Sequence, residues 1–430
     1  MRKKQIKKTF LLLSVFLFLQ TLVYAHGKSN SFYQWSYRAT SIVQTLFKFP
    51  SPYQGPNSFL SRNETETVTN YIVSGRIHFL SSLTGGLDIQ MTRGVGVGGG
   101  GVGLAGYVNG DVVFAGAFAR TPFPARYFLQ WTQPVTPDSH LVVRFGKFAV
   151  TDVFDQNLYA NETNTQFLNW TFINDTAYDY AADTIGYSGG LAVSWIHPGW
   201  ALRLGIFQMP TVANGINLST DMAHNQGDQM ELDFYPRITS KLHRMTVRFL
   251  LYRNLADMGN YAESLALAQE TNTIPCISCT ARVGAVKYGF GINLDQPLSK
   301  DKRTGIFMRY GWNNGQTQSF VFTEADRTFS LGAQLSGKLW KIPNDYAGIA
   351  LGQNDLSSVH AAYLAAGGIG TWLGDGKLNY GSERIFEVYY AHRIFSHETI
   401  TLDYQKIANP GYNRDRGPVN VISLRFRITG

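Results

Sequence analysis

The sequence predicts an all-β protein: a transmembrane antiparallel β-barrel of about 16 strands, with short periplasmic turns and long extracellular loops. Three observations carry that reading. The chain opens on an export signal, the remainder alternates apolar and polar residues in many short segments, and tight turns alternate with long connections.

The first 25 residues read as a signal peptide. Arg2, Lys3, Lys4, Lys7 and Lys8 form a basic start, Phe10 to Tyr24 are apolar, and Val23-Tyr24-Ala25 offers a cleavage site. Residues 26–430 would then form one barrel domain. Five of the chain's 38 basic residues fall in the signal, leaving 33 against 30 acidic ones. So weak and scattered a charge gives no argument for nucleic acid, and no nucleic-acid partner is expected. Beyond the signal no apolar run reaches the length of a membrane helix. Two cysteines cannot staple a small disulfide scaffold, whereas 43 glycines, 28 phenylalanines and 23 tyrosines suit an extended β structure.

The strands follow in order: 36–44, 70–80, 86–93, 125–134, 140–148, 187–196, 199–208, 228–236, 243–253, 283–294, 304–313, 328–340, 345–352, 383–393, 398–406 and 418–428. The last is the clearest. Ile422, Leu424, Phe426 and Ile428 share one face, and Ser423, Arg425 and Arg427 the other. Met230, Leu232 and Phe234 against Glu231 and Asp233 repeat the pattern. So do Met245, Val247, Phe249 and Leu251 against Thr246 and Arg248, and Ile400, Leu402 and Tyr404 against Thr401, Asp403 and Gln405. Tight turns lie at Thr84-Gly85-Gly86, Pro137-Asp138-Ser139 and His197-Pro198-Gly199. Long connections follow, such as 94–124, 149–186, 209–228, 254–282 and 353–383. An even strand count places both termini at the short-turn end, as in outer-membrane barrels.

Alternation alone does not separate a membrane barrel from a β-sandwich, because the two differ only in which face meets water. Trp195 and Trp200, flanking the His-Pro-Gly turn, favour the barrel, where such residues form an interfacial girdle.

Longer stretches resemble the OprB-type carbohydrate-selective porins of bacterial outer membranes. They include GKFAVTDVFDQNLYANETNTQFLNWTFINDTAYDYAADTIGYSGGLAVSW (146–195), PSPYQGPNSFLSRNET (50–65) and MGNYAESLALA (258–268). Further blocks are MRYGWNNGQTQSFVFTEADRTFSLGAQL (308–335), YLAAGGIGTWLGDGKLNYGSE (363–383) and YQKIANPGYNRDRGPVNVISLRF (404–426). The resemblance implies a sixteen-stranded barrel that admits sugars, in agreement with the strand count. One departure stands out: chains of that family typically end on an aromatic residue, whereas here Phe426 is the last aromatic before Arg427-Ile428-Thr429-Gly430.

Function then rests on the inward face. Strand parity puts Arg76, Asp88, Arg144, Arg203, Glu231, Asp233, Arg248, Lys287, Arg309, Glu387, Asp403, Arg425 and Arg427 in the lumen. Mixed charge in one lumen makes a hydrogen-bonding channel rather than an ion filter. It suits an uncharged polyol; the competing role is to solvate the lumen and pair internally. Trp170, Phe172, Tyr178 and Tyr180 lie in the long 149–186 connection, which is expected to fold into the barrel. Their rings could stack on the apolar C–H faces of a sugar; the alternative is that they pack the loop against the wall.

The expected function is therefore passive diffusion of small, glucose-like sugars into the periplasm, with no catalysis and no cofactor. The alternative is a general, weakly anion-preferring porin; a barrel enzyme and a plugged adhesin are more distant rivals. Expected partners are small sugars, outer-membrane lipid and the barrel-assembly machinery, with either a homotrimer or a monomer as the assembly.

Three shorter motifs point elsewhere. Gly94, Gly96 and Gly99 satisfy G-x-G-x-x-G, but no helical periodicity follows, as a dinucleotide loop requires. Gly186-Tyr187-Ser188-Gly189-Gly190 satisfies G-x-S-x-G, yet a strand follows where a nucleophile elbow needs a helix. Cys276 and Cys279 lack a second ligand pair for zinc, so a local disulfide or free thiols are expected.

Overall fold

The computed structural model describes residues 32–100, 102–112, 120–239 and 242–430. The signal segment lies outside the described residues. Sixteen antiparallel strands follow one another in chain order around a closed barrel. They are β1 (Tyr33–Phe47), β2 (Glu64–Leu80), β3 (Leu83–Arg93), β4 (Phe123–Thr136), β5 (Ser139–Phe148), β6 (Ser188–His197), β7 (Trp200–Gln208) and β8 (Gln226–Phe234). The second half comprises β9 (Thr246–Met258), β10 (Arg282–Pro297), β11 (Gly305–Asn313), β12 (Arg327–Ser336), β13 (Tyr346–Asp355), β14 (Glu383–Phe395), β15 (Glu398–Ala408) and β16 (Val419–Thr429).

Closure decides between barrel and sandwich. β1 pairs with β2 on one side and with β16 on the other, from Arg38↔Thr429 to Phe47↔Asn420, so the sheet has no free edge. The two faces are inverted relative to a water-soluble sandwich. On β16, Ile422 and Leu424 are 41% and 45% exposed, while Ser423 and Arg425 between them are buried inside. Trp195 and Trp200 meet edge to face at 5.1 Å beside the Pro198-Gly199 turn, with Trp195 on the outer surface. Among the described residues no helix is long and apolar enough to cross a membrane.

The long connections are 48–63, 94–122, 149–187, 209–225, 259–281, 314–326, 356–382 and 409–418. Several of them share an aromatic core at one end of the barrel. Tyr107 meets Trp170 and Trp372 edge-on at 6.1 and 5.8 Å, and Trp170 packs on Phe322 at 5.3 Å. The loops carry short helices: α1 (Trp170–Ile173), α2 (Tyr261–Thr271) and α3 (Ser358–Ala365). Asn260 and Ser357 cap α2 and α3 through their side-chain oxygens. Cys276 and Cys279 are joined by a disulfide in the connection after α2.

Candidate functional site

Loop 149–187 crosses the lumen, and the inward residues of β8–β16 hold it against their wall. Glu231 of β8 accepts the Asp155 amide at 2.8 Å. Arg309 of β11 donates to the Asp155 carboxylate at 3.0 Å and to the Phe172 carbonyl at 2.6 Å. Glu387 of β14 accepts the amides of Leu168 and Asn169 at 2.5 and 3.0 Å. Arg425 of β16 donates to the Gln166 carbonyl at 2.8 Å and also to that of Thr163. Lys287 of β10 pairs with Asp179 at 3.4 Å, and Asp179 in turn accepts the amides of Phe320 and Val321.

These five inward side chains are at most 1% exposed. Breaking a buried pair by removing one partner typically costs about 3–5 kcal/mol, against 0–1 for an exposed one. They anchor the loop, and none of them is among the residues lining the main cavity, although strand parity placed all five in the lumen. Neighbours complete the network. Asp233 pairs with Arg203 at 2.8 Å, Arg248 with Asp295 at 2.7 Å, and Asp403 hydrogen-bonds Glu387 and Gln405.

Asp175 shows how closely loop and wall fit. A Cβ on Gly311 would lie 1.9 Å from its carboxylate and one on Gly291 2.9 Å, so these two glycines open a notch for it. Burial there, beside the Asp155 carboxylate, pushes the Asp175 carboxyl up to about 8.

The main cavity lies along the wall formed by β16 and β1–β4. A cavity of about 600 Å³ lies between loop 149–187 and strands β16, β1, β2, β3 and β4. Most of its charges are paired, Arg427 and Asp111 being the exceptions. Arg38 binds Glu162, Arg126 forms a two-pronged pair with Asp152 at 2.7 and 2.8 Å, and Asp88 takes Arg76 at 2.6 Å. Arg427, Asn70, Gln90 and Gln156 supply further polar groups. Asp111, from the loop after β3, faces the same space, and burial raises its carboxyl while the Thr163 hydroxyl partly offsets the shift.

Among the thirteen inward candidates, Asp88 and Arg427 therefore line the main cavity, with Arg76 behind Asp88. Arg144 and Arg203 line a second cavity of about 290 Å³, which shares Asp152 and Gln156 with the first. Arg144 lies over the Phe128 ring at 4.6 Å and binds Gln130 at 2.7 Å. The four loop aromatics divide as well. Trp170 and Tyr180 border the main cavity. Phe172 is fully buried 5.3 Å from Phe167, and Tyr178 packs on Tyr252 at 5.0 Å, so both hold the loop to the wall instead.

Arg38 and Arg126 belong to the site without appearing among the sequence candidates. Both stand on inward positions of β1 and β4, where strand parity marks them. Asp152 and Glu162 come from the loop, where no periodicity could have pointed to them.

The shorter motifs resolve in the same frame. Gly94 and Gly103 adopt left-handed backbone at φ +108° and +87°, and a Cβ on Gly106 would lie 2.1 Å from the Thr171 hydroxyl. The Ala105 and Gly106 amides point to the protein's own Glu383 carboxylate at 3.0–3.1 Å, so this glycine-rich loop is seated on the start of β14. Ser188 opens β6 and donates to the Gln208 carbonyl at 2.7 Å, a strand contact with no elbow.

The model of the carbohydrate-selective porin, OprB family, matches residues 92–429. The chain belongs to that family. The porin's fold agrees with solved outer-membrane channels. The high-pH structure of Pseudomonas putida OprB superposes with a TM-score of 0.73 at 14% identity, covering 93% of this chain and 94% of that one. The channel DcaP of Acinetobacter baumannii gives 0.53 at 10% identity, covering 94% and 99%. OmpF of Salmonella typhi gives 0.51 at 11% identity, covering 94% and 99%. No curated protein matches the chain in sequence. Family and fold together place this porin in the bacterial outer membrane, among channels.

Proposed function

We propose that this porin admits small, neutral, glucose-like sugars to the periplasm by passive diffusion. The carrying observation is that most of the charges lining the 600 Å³ cavity are tied in ion pairs. Its arginines and carboxylates, tied as Arg38–Glu162, Arg126–Asp152 and Arg76–Asp88, present hydrogen-bonding edges with little net field. A sugar exchanges water contacts for those edges, and it passes the small exposed parts of the Trp170 and Tyr180 rings, 7% and 4% exposed, at the cavity border. Residues 26–430 act as one barrel unit, reached through an N-terminal export signal. Purified porin in planar bilayers and liposomes tests this: glucose should permeate and reduce ionic current, ahead of anions of similar size. Equal permeation of neutral and anionic solutes would reject it.

A general, weakly anion-preferring pore is the second reading. It draws on Arg427, which lines the cavity with its Nε unpartnered and no carboxylate in ion-pair range among the described residues.

A further inference from the structure

Outward-facing charges at the long-loop rim fall into two arrangements. On β8 and β9, Asp228 and Arg253 are register partners and form an ion pair. On β12 and β13, Arg327 and Asp355 are register partners too, at the same end of their strands. There the carboxylate is drawn the other way. Asp355 accepts from Gln353 at 2.8 Å, from Tyr380 at 3.3 Å and from Ser382. Arg327 is left exposed, with no hydrogen bond or ion pair among the described residues.

Two more cations stand beside it in the same state. Arg384, the second residue of β14, and Lys406, two residues from the end of β15, are both exposed and unpartnered. Their sequence neighbours Glu383, Ile385, Gln405 and Ile407 are buried inside, so Arg384 and Lys406 project from the outer face. Arg384 pairs in register with Gln353 and Ala408, which sets it diagonally to Lys406. Diagonal neighbours on one face lie about 7–8 Å apart, and Arg327 stands two strand spacings across and two residues along from Arg384, about 12 Å. Directly below this row the outer face is apolar: Phe329, Leu331, Leu351, Val388 and Leu402 are 36–57% exposed.

We propose that the rim of β12–β15 binds the phosphate groups of an outer-leaflet lipid, whose acyl chains lie along the apolar strip beneath. Three bare cations above a hydrocarbon face match an amphiphile with anionic phosphates above acyl chains, and the long side chains reach adjacent phosphates. A free anion would gain nothing from the apolar strip, and a second protein would need a carboxylate-rich segment at membrane depth. Each Lys or Arg near a membrane surface adds to anionic lipid attraction, so losing all three should weaken retention on the order of a hundredfold.

The test is native mass spectrometry of detergent-purified porin with bis-phosphorylated lipid A, its dephosphorylated counterpart and inorganic phosphate. Wild type should retain the phosphorylated lipid selectively. R327Q/R384Q/K406Q should lose it, whereas R253Q, whose cation is already neutralised by Asp228, should behave as wild type. Single-channel conductance of the triple variant should stay unchanged, because none of the three side chains faces the lumen, and this verifies the fold. Undiminished retention by the triple variant, or equal binding with and without phosphates, would overturn the assignment. Displacement of the lipid by inorganic phosphate alone would reduce the feature to a free-anion site and overturn it as well.

Discussion

Arg309 of β11 donates its Nε proton to the carboxylate of Asp155 at 3.0 Å, with both side chains at most 3% exposed. This contact ties the barrel wall to the loop that narrows the lumen. It separates residues that shape the passage from those that line it.

Arg309→Met removes the wall's half of that pair and leaves Asp155 buried beside Asp175. The expected loss is about 3–5 kcal/mol of loop docking. Single-channel recordings should show larger and noisier openings, and the barrel should lose its compact gel mobility at lower temperature. Unaltered conductance would show that the anchor does not set the pore.

Arg126→Gln leaves Asp152 and Asp88 in the cavity with one cation fewer. The pore should become more cation-selective, read as a shift in reversal potential across a salt gradient. The shift should shrink at high ionic strength, as screening demands.

Trp170→Ala and Phe172→Ala separate two roles in one helical turn. The first should weaken block of the ionic current by sugar, because Trp170 borders the cavity. The second should leave a void in the buried packing and cost about 3–5 kcal/mol in stability. Equal loss of sugar block in both variants would deny Trp170 a separate contact with solute.

Asp175 sets a pH dependence. Its carboxyl is raised from 3.8 to about 8, so the docked loop keeps a proton that the undocked chain gives up. The stabilisation is full below pH 3.8, declines as pH rises through the interval, and levels off above about 8. Asp175→Asn, which cannot ionise, should flatten this decline. Proteolysis or amide exchange of loop 149–187 between pH 5 and 9 reads it.

Gly106→Val forces a side chain into the Thr171 hydroxyl, 2.1 Å from the position of the first added carbon. Overpacking of this kind costs about 1–3 kcal/mol. The effect should appear as displaced loops and altered conductance, while the strands persist in circular dichroism.

Much of the architecture was legible because its signals are local. The alternation of Ile422, Ser423, Leu424 and Arg425 shows on one strand which residues share a face, and Pro-Gly and Pro-Asp turns mark where the chain reverses. Each of the sixteen strands lies where the alternation located it, with ends moved by a few residues. Pattern and turns alone did not determine the outer face; Trp195 and the export signal argued for it, and closure of β1 on β16 with Ile422 and Leu424 exposed outside and Ser423 and Arg425 buried inside settles it.

The role of each inward charge was not legible, for a physical reason. Parity gives Asp88 and Arg309 the same description, as charged residues pointing inward. Their difference depends on where loop 149–187 comes to rest, through contacts such as Arg309–Asp155 and Glu387–Leu168 that join residues 154 and 219 positions apart. By itself the sequence determined the strands, their two faces and the long connections between them, because strand periodicity is a nearest-neighbour property. Only the tertiary structure decided that β8–β16 carry the loop and that β16 and β1–β4 border the passage, because the loop's weight of buried ion pairs falls on one wall.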